Sequence, residues 1–321
     1  MNTPVAKRHA VLQAGRAMPE LEAVLAERYD VSILASQPDP ARFLSENGKK
    51  FEAMVSTSKN GADGALMDAL PNVKAIAHFG VGYDTVDAVA AAKRGIVVSN
   101  TPDVLNDCVA DTAIGLLIDT ARGLSASERF VRRGDWLKGQ FPLQTRVSGK
   151  KLGIVGLGRI GQTIAKRALG FDMEIHYHSR KPVAGSPFVH EPSLVKLAQW
   201  CDFLMIIVAG GPATKHLVSK EVIEALGPRS FLINVSRGTV VDEAALVDAL
   251  QNKRIAGAGL DVFEDEPRVP EALFKLDNVV LYPHLASGTK ETRQAMADLV
   301  LANLKSWFDT GKLLTPVPET R

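Results

Sequence analysis

Lys151-Leu-Gly-Ile-Val-Gly-Leu-Gly-Arg-Ile-Gly161 is the stretch whose reading decides the fold. Leu152 to Val155 reads as a short apolar strand. It runs into Gly156-x-Gly158-x-x-Gly161, and a helical pattern follows at once from Gln162 to Leu169. Gly156 permits the tight turn from strand to helix, Gly158 lets the backbone approach a pyrophosphate, and Gly161 lets helix and strand pack closely. The helix N-terminus then offers N–H groups and the positive end of its dipole to phosphates. In a chain with 26 glycines the spacing alone is weak, and an accidental glycine turn is the competing reading. The flanking strand and helix supply the context that makes it a dinucleotide-binding prediction.

The surrounding chain suits such a unit. Its 321 residues favour two domains, and 46% hydrophobic with 23% charged residues is ordinary for a globular core. A formal net charge of +2 offers no global attraction for nucleic acid or an anionic membrane. Cys108 and Cys201 are far apart and form no metal or redox motif, so no metal is expected and a reducing cytoplasm fits best. No basic-then-apolar leader opens the chain, and no apolar run reaches the roughly 18 residues needed to span a bilayer.

Outward from the glycine motif, both flanks alternate strand-like and helix-like segments. On the N-terminal side, strands are expected at 10–13, 31–34, 53–56, 73–77 and 95–98, with helices at 20–28, 40–46 and 86–93. Alternation of this kind implies a parallel sheet covered by helices. A long helical pattern, Val104 to Leu124, bridges to the motif, interrupted by Asp111, Thr112 and Asp119. The charged run that follows contains Trp136, read either as part of a solvated loop or as an interface anchor. On the C-terminal side, strands are expected at 173–177, 203–208, 230–235, 256–260 and 278–282, with helices at 193–199, 220–226 and 243–250. The last helical pattern, 290–308, has no strand after it and is expected to pack back on the N-terminal domain.

An NAD-selective unit places a carboxylate about 20 positions after the first glycine, for the ribose 2′-OH. Here the second strand ends Tyr177-His178-Ser179-Arg180-Lys181-Pro182, with His178 where the acid is expected. A 2′-phosphate would be held by the hydroxyl, guanidinium and ammonium of Ser179, Arg180 and Lys181, which predicts NADP(H).

In open α/β sheets ligands lie beyond the carboxyl ends of the strands. Arg237, Glu266 and His284 each follow a predicted strand. Singly, each has a structural reading. Together, after a dinucleotide motif, they form a set for reducing a 2-oxo acid: Arg237 grips the carboxylate and polarises the carbonyl, His284 donates a proton to the carbonyl oxygen, and Glu266 orients His284.

These residues sit in Gly80-Val-Gly-Tyr-Asp-Thr-Val-Asp87, Gly156-Leu-Gly-Arg-Ile-Gly161, Asn234-Val-Ser-Arg-Gly238, Gly259-Leu-Asp-Val-Phe-Glu-Asp-Glu-Pro267 and Pro283-His-Leu-Ala-Ser287. With these five motifs in order, the whole chain resembles the D-isomer-specific 2-hydroxyacid dehydrogenase family, most closely its glyoxylate/hydroxypyruvate reductase branch, which also holds hydroxyphenylpyruvate and 2-ketogluconate reductases. The resemblance implies an α/β architecture of two doubly wound parallel-sheet domains. A Rossmann cofactor domain (100–286) would be inserted in a flavodoxin-like substrate domain (1–99 and 287–321), and a homodimer would be built from roughly 100–145. It implies that Arg237, Glu266 and His284 are catalytic and that the backbone of Val81 and Gly82 binds the substrate carboxylate. Gly156, Gly158, Arg159, Ile160 and Gly161 would meet the pyrophosphate, with Ser179, Arg180 and Lys181 at the 2′-phosphate. Asp261, Val235 and Ser287 would complete the cofactor set, and Trp136 would be a substrate contact reaching the partner's site.

Two departures stand out. Many members carry Asn before the Gly-Val-Gly loop, where this chain has Ala77-His78-Phe79-Gly80, and Ala209-Gly210-Gly211-Pro212 is longer and richer in glycine than usual. The leading expectation is NADPH-dependent reduction of glyoxylate and hydroxypyruvate to D-2-hydroxy acids. The alternatives are a reductase of bulkier 2-oxo acids and a non-catalytic dinucleotide-sensing scaffold.

Overall fold

Every pairing between named strands in the computed structural model, which describes residues 8–321, is parallel. The chain opens with β1 (Ala10–Gln13), α1 (Pro19–Arg28), β2 (Asp30–Ile33), α2 (Pro40–Asn47), β3 (Ala53–Thr57), α3 (Gly64–Asp68), β4 (Ala75–Phe79), α4 (Ala88–Lys93) and β5 (Val97–Ser99). Next come α5 (Asn106–Arg122), α6 (Leu124–Arg132), β6 (Lys151–Val155), α7 (Arg159–Ala168), β7 (Glu174–His178), β8 (Val189–His190), α8 (Leu194–Trp200), β9 (Phe203–Ile206), α9 (Lys220–Leu226), β10 (Phe231–Asn234), α10 (Glu243–Gln251), β11 (Gly257–Leu260), α11 (Glu271–Phe274) and β12 (Val279–Leu281). The long α12 (Lys290–Thr310) follows.

The elements divide into two units. One holds the described residues up to Leu105 together with Thr289–Arg321; the other is Asn106–Gly288. The first carries a five-stranded sheet in the order β2-β1-β3-β4-β5, the order of flavodoxin-like folds. Within it α12 packs against β4, and the tail returns to β5, where Val317 N–H donates to the Val98 carbonyl at 2.8 Å. The second carries a seven-stranded sheet in the order β12-β11-β10-β9-β6-β7-β8. Counted from β6 this is the dinucleotide-binding order 3-2-1-4-5-6 with one further strand.

Local chemistry explains where the elements depart from the sequence expectation. The 86–93 helix begins two residues later, at Ala88, because the Asp87 carboxylate accepts the Ala90 N–H at 2.8 Å and caps it there. The long 104–124 pattern is two helices, since Gly123 adopts φ 59 and ends α5 before α6 begins. The glycine helix starts at Arg159, three residues earlier than the apolar pattern indicated. It buries Gly161, Ile164, Ala165 and Ala168, one face of a helix. Helices α3 and α11 and the two-residue β8 are too short to leave a periodic signal.

Candidate active site

Strands β10, β11 and β12 are neighbours and parallel, so their carboxyl ends share one edge of the sheet. Arg237, Glu266 and His284 stand in the connections that leave these three ends. The buried Asn234 ties down the turn after β10. Its Oδ1 accepts the Ser236 N–H at 3.0 Å and its Nδ2 donates to the Arg237 carbonyl at 3.0 Å. The Ser236 hydroxyl donates to the Val208 carbonyl beyond β9, and the Arg237 Nη1 donates to the Ser236 carbonyl at 2.9 Å.

The turn after β12 is wound around Asp261, which is wholly buried at the end of β11. Its carbonyl accepts the His284 N–H at 2.8 Å, and its carboxylate accepts the N–H groups of Leu285 at 2.7 Å and Ala286 at 3.0 Å. These bonds hold His284 at φ 53, in the left-handed region that few residues with a Cβ enter. Burial pushes the Asp261 carboxyl upward, opposed by the two N–H groups it accepts.

His284 Nδ1 lies 2.7 Å from Glu266 Oε2, and Glu266 Oε1 accepts the Phe263 N–H at 3.1 Å. Burial alone would raise the Glu266 carboxyl. The hydrogen bond and charge of His284, the Phe263 N–H and the Arg237 charge outweigh it and hold the group below the usual carboxylate range. An ionised carboxylate only accepts, so Nδ1 carries the hydrogen and Nε2 is the ring nitrogen left to face a ligand.

Farther along the same sheet, β6 ends in the glycine turn. Gly156 adopts φ 101, and a Cβ on Gly161 would sit 2.1 Å from the Gly156 carbonyl oxygen, so neither position tolerates a side chain. A Cβ built on Gly158, the N-cap of α7, meets nothing within 4 Å. The motif thus leaves a cradle at a helix N-terminus, the shape a pyrophosphate requires. Arg159, Ile160 and Gly161 form the first turn there.

After β7 the chain carries no carboxylate from Tyr177 to Pro182, and Arg180 and Lys181 are exposed. Two histidines that sequence reading left without a role pin this turn. His190 Nε2 donates to the Ser179 carbonyl at 3.0 Å, and His178 Nδ1 donates to the Glu191 carbonyl at 3.0 Å. The Ser179 hydroxyl donates to the Lys181 carbonyl at 2.6 Å.

The remaining candidates are divided between the two units. Val235 is buried directly after β10, and Ser287 is half-buried in the turn that follows His284. In the five-stranded unit, Asn100 Nδ2 donates to the Val81 carbonyl at 2.8 Å, and His78 Nε2 approaches the Gly82 carbonyl at 3.0 Å. Trp136 is 67% exposed between α6 and β6, with Leu137 and Leu143 fully open beside it in sequence. Among the described residues no group of His, Cys, Asp and Glu is arranged to hold a metal ion, and no helix is long and apolar enough to cross a membrane.

Residues 114–286 match the family model of the D-isomer specific 2-hydroxyacid dehydrogenase NAD binding domain. The chain belongs to the D-isomer specific 2-hydroxyacid dehydrogenase family. It is 48% identical over 297 residues to hydroxyphenylpyruvate reductase of Plectranthus scutellarioides, covering 92% of this chain and 95% of that one. It is 46% identical to glyoxylate/hydroxypyruvate reductase A of Arabidopsis thaliana, with the same coverage. The crystal structure of the NADPH-dependent glyoxylate/hydroxypyruvate reductase of Sinorhizobium meliloti, in complex with NADP and malonate, superposes with a TM-score of 0.91 at 47% identity over 98% of both chains. This dehydrogenase is therefore an NAD(P)-binding oxidoreductase of the glyoxylate/hydroxypyruvate reductase-like kind, and its reaction class is the reduction of 2-oxo acids.

Proposed function

We propose that this dehydrogenase uses NADPH to reduce small 2-oxo acids, glyoxylate and hydroxypyruvate foremost, to D-2-hydroxy acids. The observation that carries the chemistry is the 2.7 Å contact between His284 Nδ1 and Glu266 beside the Arg237 turn. Bound NADPH supplies the hydride. Arg237 holds the substrate carboxylate with a bidentate-capable cation and draws electron density from the adjacent carbonyl. His284 Nε2 delivers the proton to the carbonyl oxygen, and Glu266 keeps the ring oriented and its other nitrogen protonated. The backbone N–H groups of Val81 and Gly82 take part in holding the carboxylate.

On the cofactor side, the pyrophosphate is assigned to Gly158, Arg159 and Ile160 at the start of α7, in the turn shaped by Gly156 and Gly161. The 2′-phosphate is assigned to Ser179, Arg180 and Lys181, in a turn that carries no carboxylate to repel it. Val235, Asp261 and Ser287 are assigned to the nicotinamide end. The five-stranded unit is the substrate domain and Asn106–Gly288 the cofactor domain. The protein works as a homodimer through the exposed apolar residues of α6 and the segment after it, Val131, Trp136, Leu137 and Leu143, with Trp136 entering the partner's site.

Initial rates with glyoxylate and hydroxypyruvate, each with NADPH and NADH, test this reading. Fast turnover with NADPH and poor turnover with NADH is the expected result. Equal use of both cofactors would remove the 2′-phosphate assignment. A preference for hydroxyphenylpyruvate would favour the second reading, which the 48% identity to that reductase keeps in view.

A further inference from the structure

A buried carboxylate with no part in the chemistry above lies behind the catalytic turn. Asp119, on α5, is 5% exposed. Its Oδ1 accepts the Ser125 N–H at 2.8 Å, and its Oδ2 accepts both the Ser125 hydroxyl and the Tyr282 hydroxyl, the latter at 3.1 Å. Ser125 stands in the first turn of α6, two residues after the left-handed Gly123. Tyr282 stands two positions before His284, and its N–H donates to the Leu260 carbonyl at 2.8 Å. One carboxylate thus joins the start of α6 to the strand end that carries the catalytic histidine.

The close approach of α5 to the sheet is what makes this reach possible. A Cβ on Gly259, in β11, would meet Thr120 Oγ1 at 2.5 Å and Leu116 Cγ at 2.7 Å. Only a glycine there lets α5 lie low enough for Asp119 to meet the hydroxyl of Tyr282. The arrangement is costly to leave unpaired, because a buried carboxylate needs its donors. Burial and the Asp119 charge together push the Tyr282 phenol up to about 12, which keeps it a donor throughout the neutral range.

We infer that Asp119 is a positioning residue for the reduction, fixing the Tyr282–His284 turn through the Tyr282 hydroxyl and coupling that turn to the seating of α6 through Ser125. The inference rests on the proposed role of His284. Displacing a catalytic group by a fraction of its reach lowers turnover without altering how the cofactor binds.

The test is a double-mutant cycle of Asp119→Asn and Tyr282→Phe on the full-length protein, with Ser125→Ala alongside. Active sites are counted by NADPH titration, so a misfolded fraction does not register as lost turnover. Each single variant is expected to lower kcat about tenfold, the size of one charge-assisted hydrogen bond. The double variant should be no worse than Asp119→Asn, the NADPH KM should stay within about twofold, and Ser125→Ala should lower kcat less than either. Unchanged kcat in Tyr282→Phe, additive losses in the double variant, or losses that vanish on site counting would each overturn the inference. A wild-type protein that reduces no 2-oxo acid would overturn the proposed function and this inference together. An active wild type with unaffected variants overturns the inference alone.

Discussion

The carboxyl edge of the seven-stranded sheet holds two regions built in opposite ways. After β10, β11 and β12 the chain is pinned by buried groups: Asn234 behind Arg237, Asp261 behind His284, Asp119 behind Tyr282. After β7 the side chains expected to meet a phosphate, Arg180 and Lys181, stand in solvent, and only the backbone beneath them is held, by His190 and the Ser179 hydroxyl. The contrast follows from the tasks proposed for the two regions. Proton transfer requires a donor within hydrogen-bond reach in one orientation, which buried, hydrogen-bonded neighbours can fix. Holding a dianionic phosphate requires charge nearby, and long cations adapt to it.

Four substitutions sharpen or break that contrast. The largest effect is expected from His284→Ala, a loss of about 10²–10⁴-fold in kcat with NADPH binding intact; a loss under tenfold would move the proton donor elsewhere. Arg237→Ala follows, at about 2–5 kcal/mol in kcat/KM, the cost of leaving the substrate carboxylate without its cation. Steady-state kinetics with near-normal values would take Arg237 out of the mechanism.

Arg180→Ala should cost NADPH about 1.5–3 kcal/mol in binding and NADH almost nothing. Fluorescence titration of both cofactors checks this, and an equal loss for both would make the residue structural. The smallest effect is in stability. Pairing with His284 holds the Glu266 carboxyl below its unfolded value. Its contribution is therefore complete above the usual carboxylate range and disappears as pH falls through the lowered value. Melting temperatures of wild type and Glu266→Gln should differ at neutral pH and converge in acid; a gap that persists in acid would assign it to packing.

The two regions were also unequally legible. Tyr177 to Pro182 could be read directly, because a missing carboxylate at a known spacing is a local property. His190, which anchors the same turn, was invisible, since β8 is two residues long and pairs with β7 only in the folded sheet. Arg237, Glu266 and His284 were legible as strand-end residues, and their motifs carried the family resemblance. The bracing by Asp119 was not. In sequence it is one of three polar interruptions in an apolar helix, and nothing local distinguishes it from Asp111, whose carboxylate pairs with Arg167.

By itself the sequence determined the longer strands and helices in their order, the glycine turn and the charge character of the turn after β7. Each depends on residues within about one element of one another, where propensity, periodicity and spacing act. Tertiary structure alone decided that β10, β11 and β12 lie side by side, so that three separate strand ends become one edge. It also decided that Asp119 meets Tyr282 across 163 residues of chain. Strand order and helix seating are set by how whole elements bury their apolar faces against each other, and no local window contains that competition.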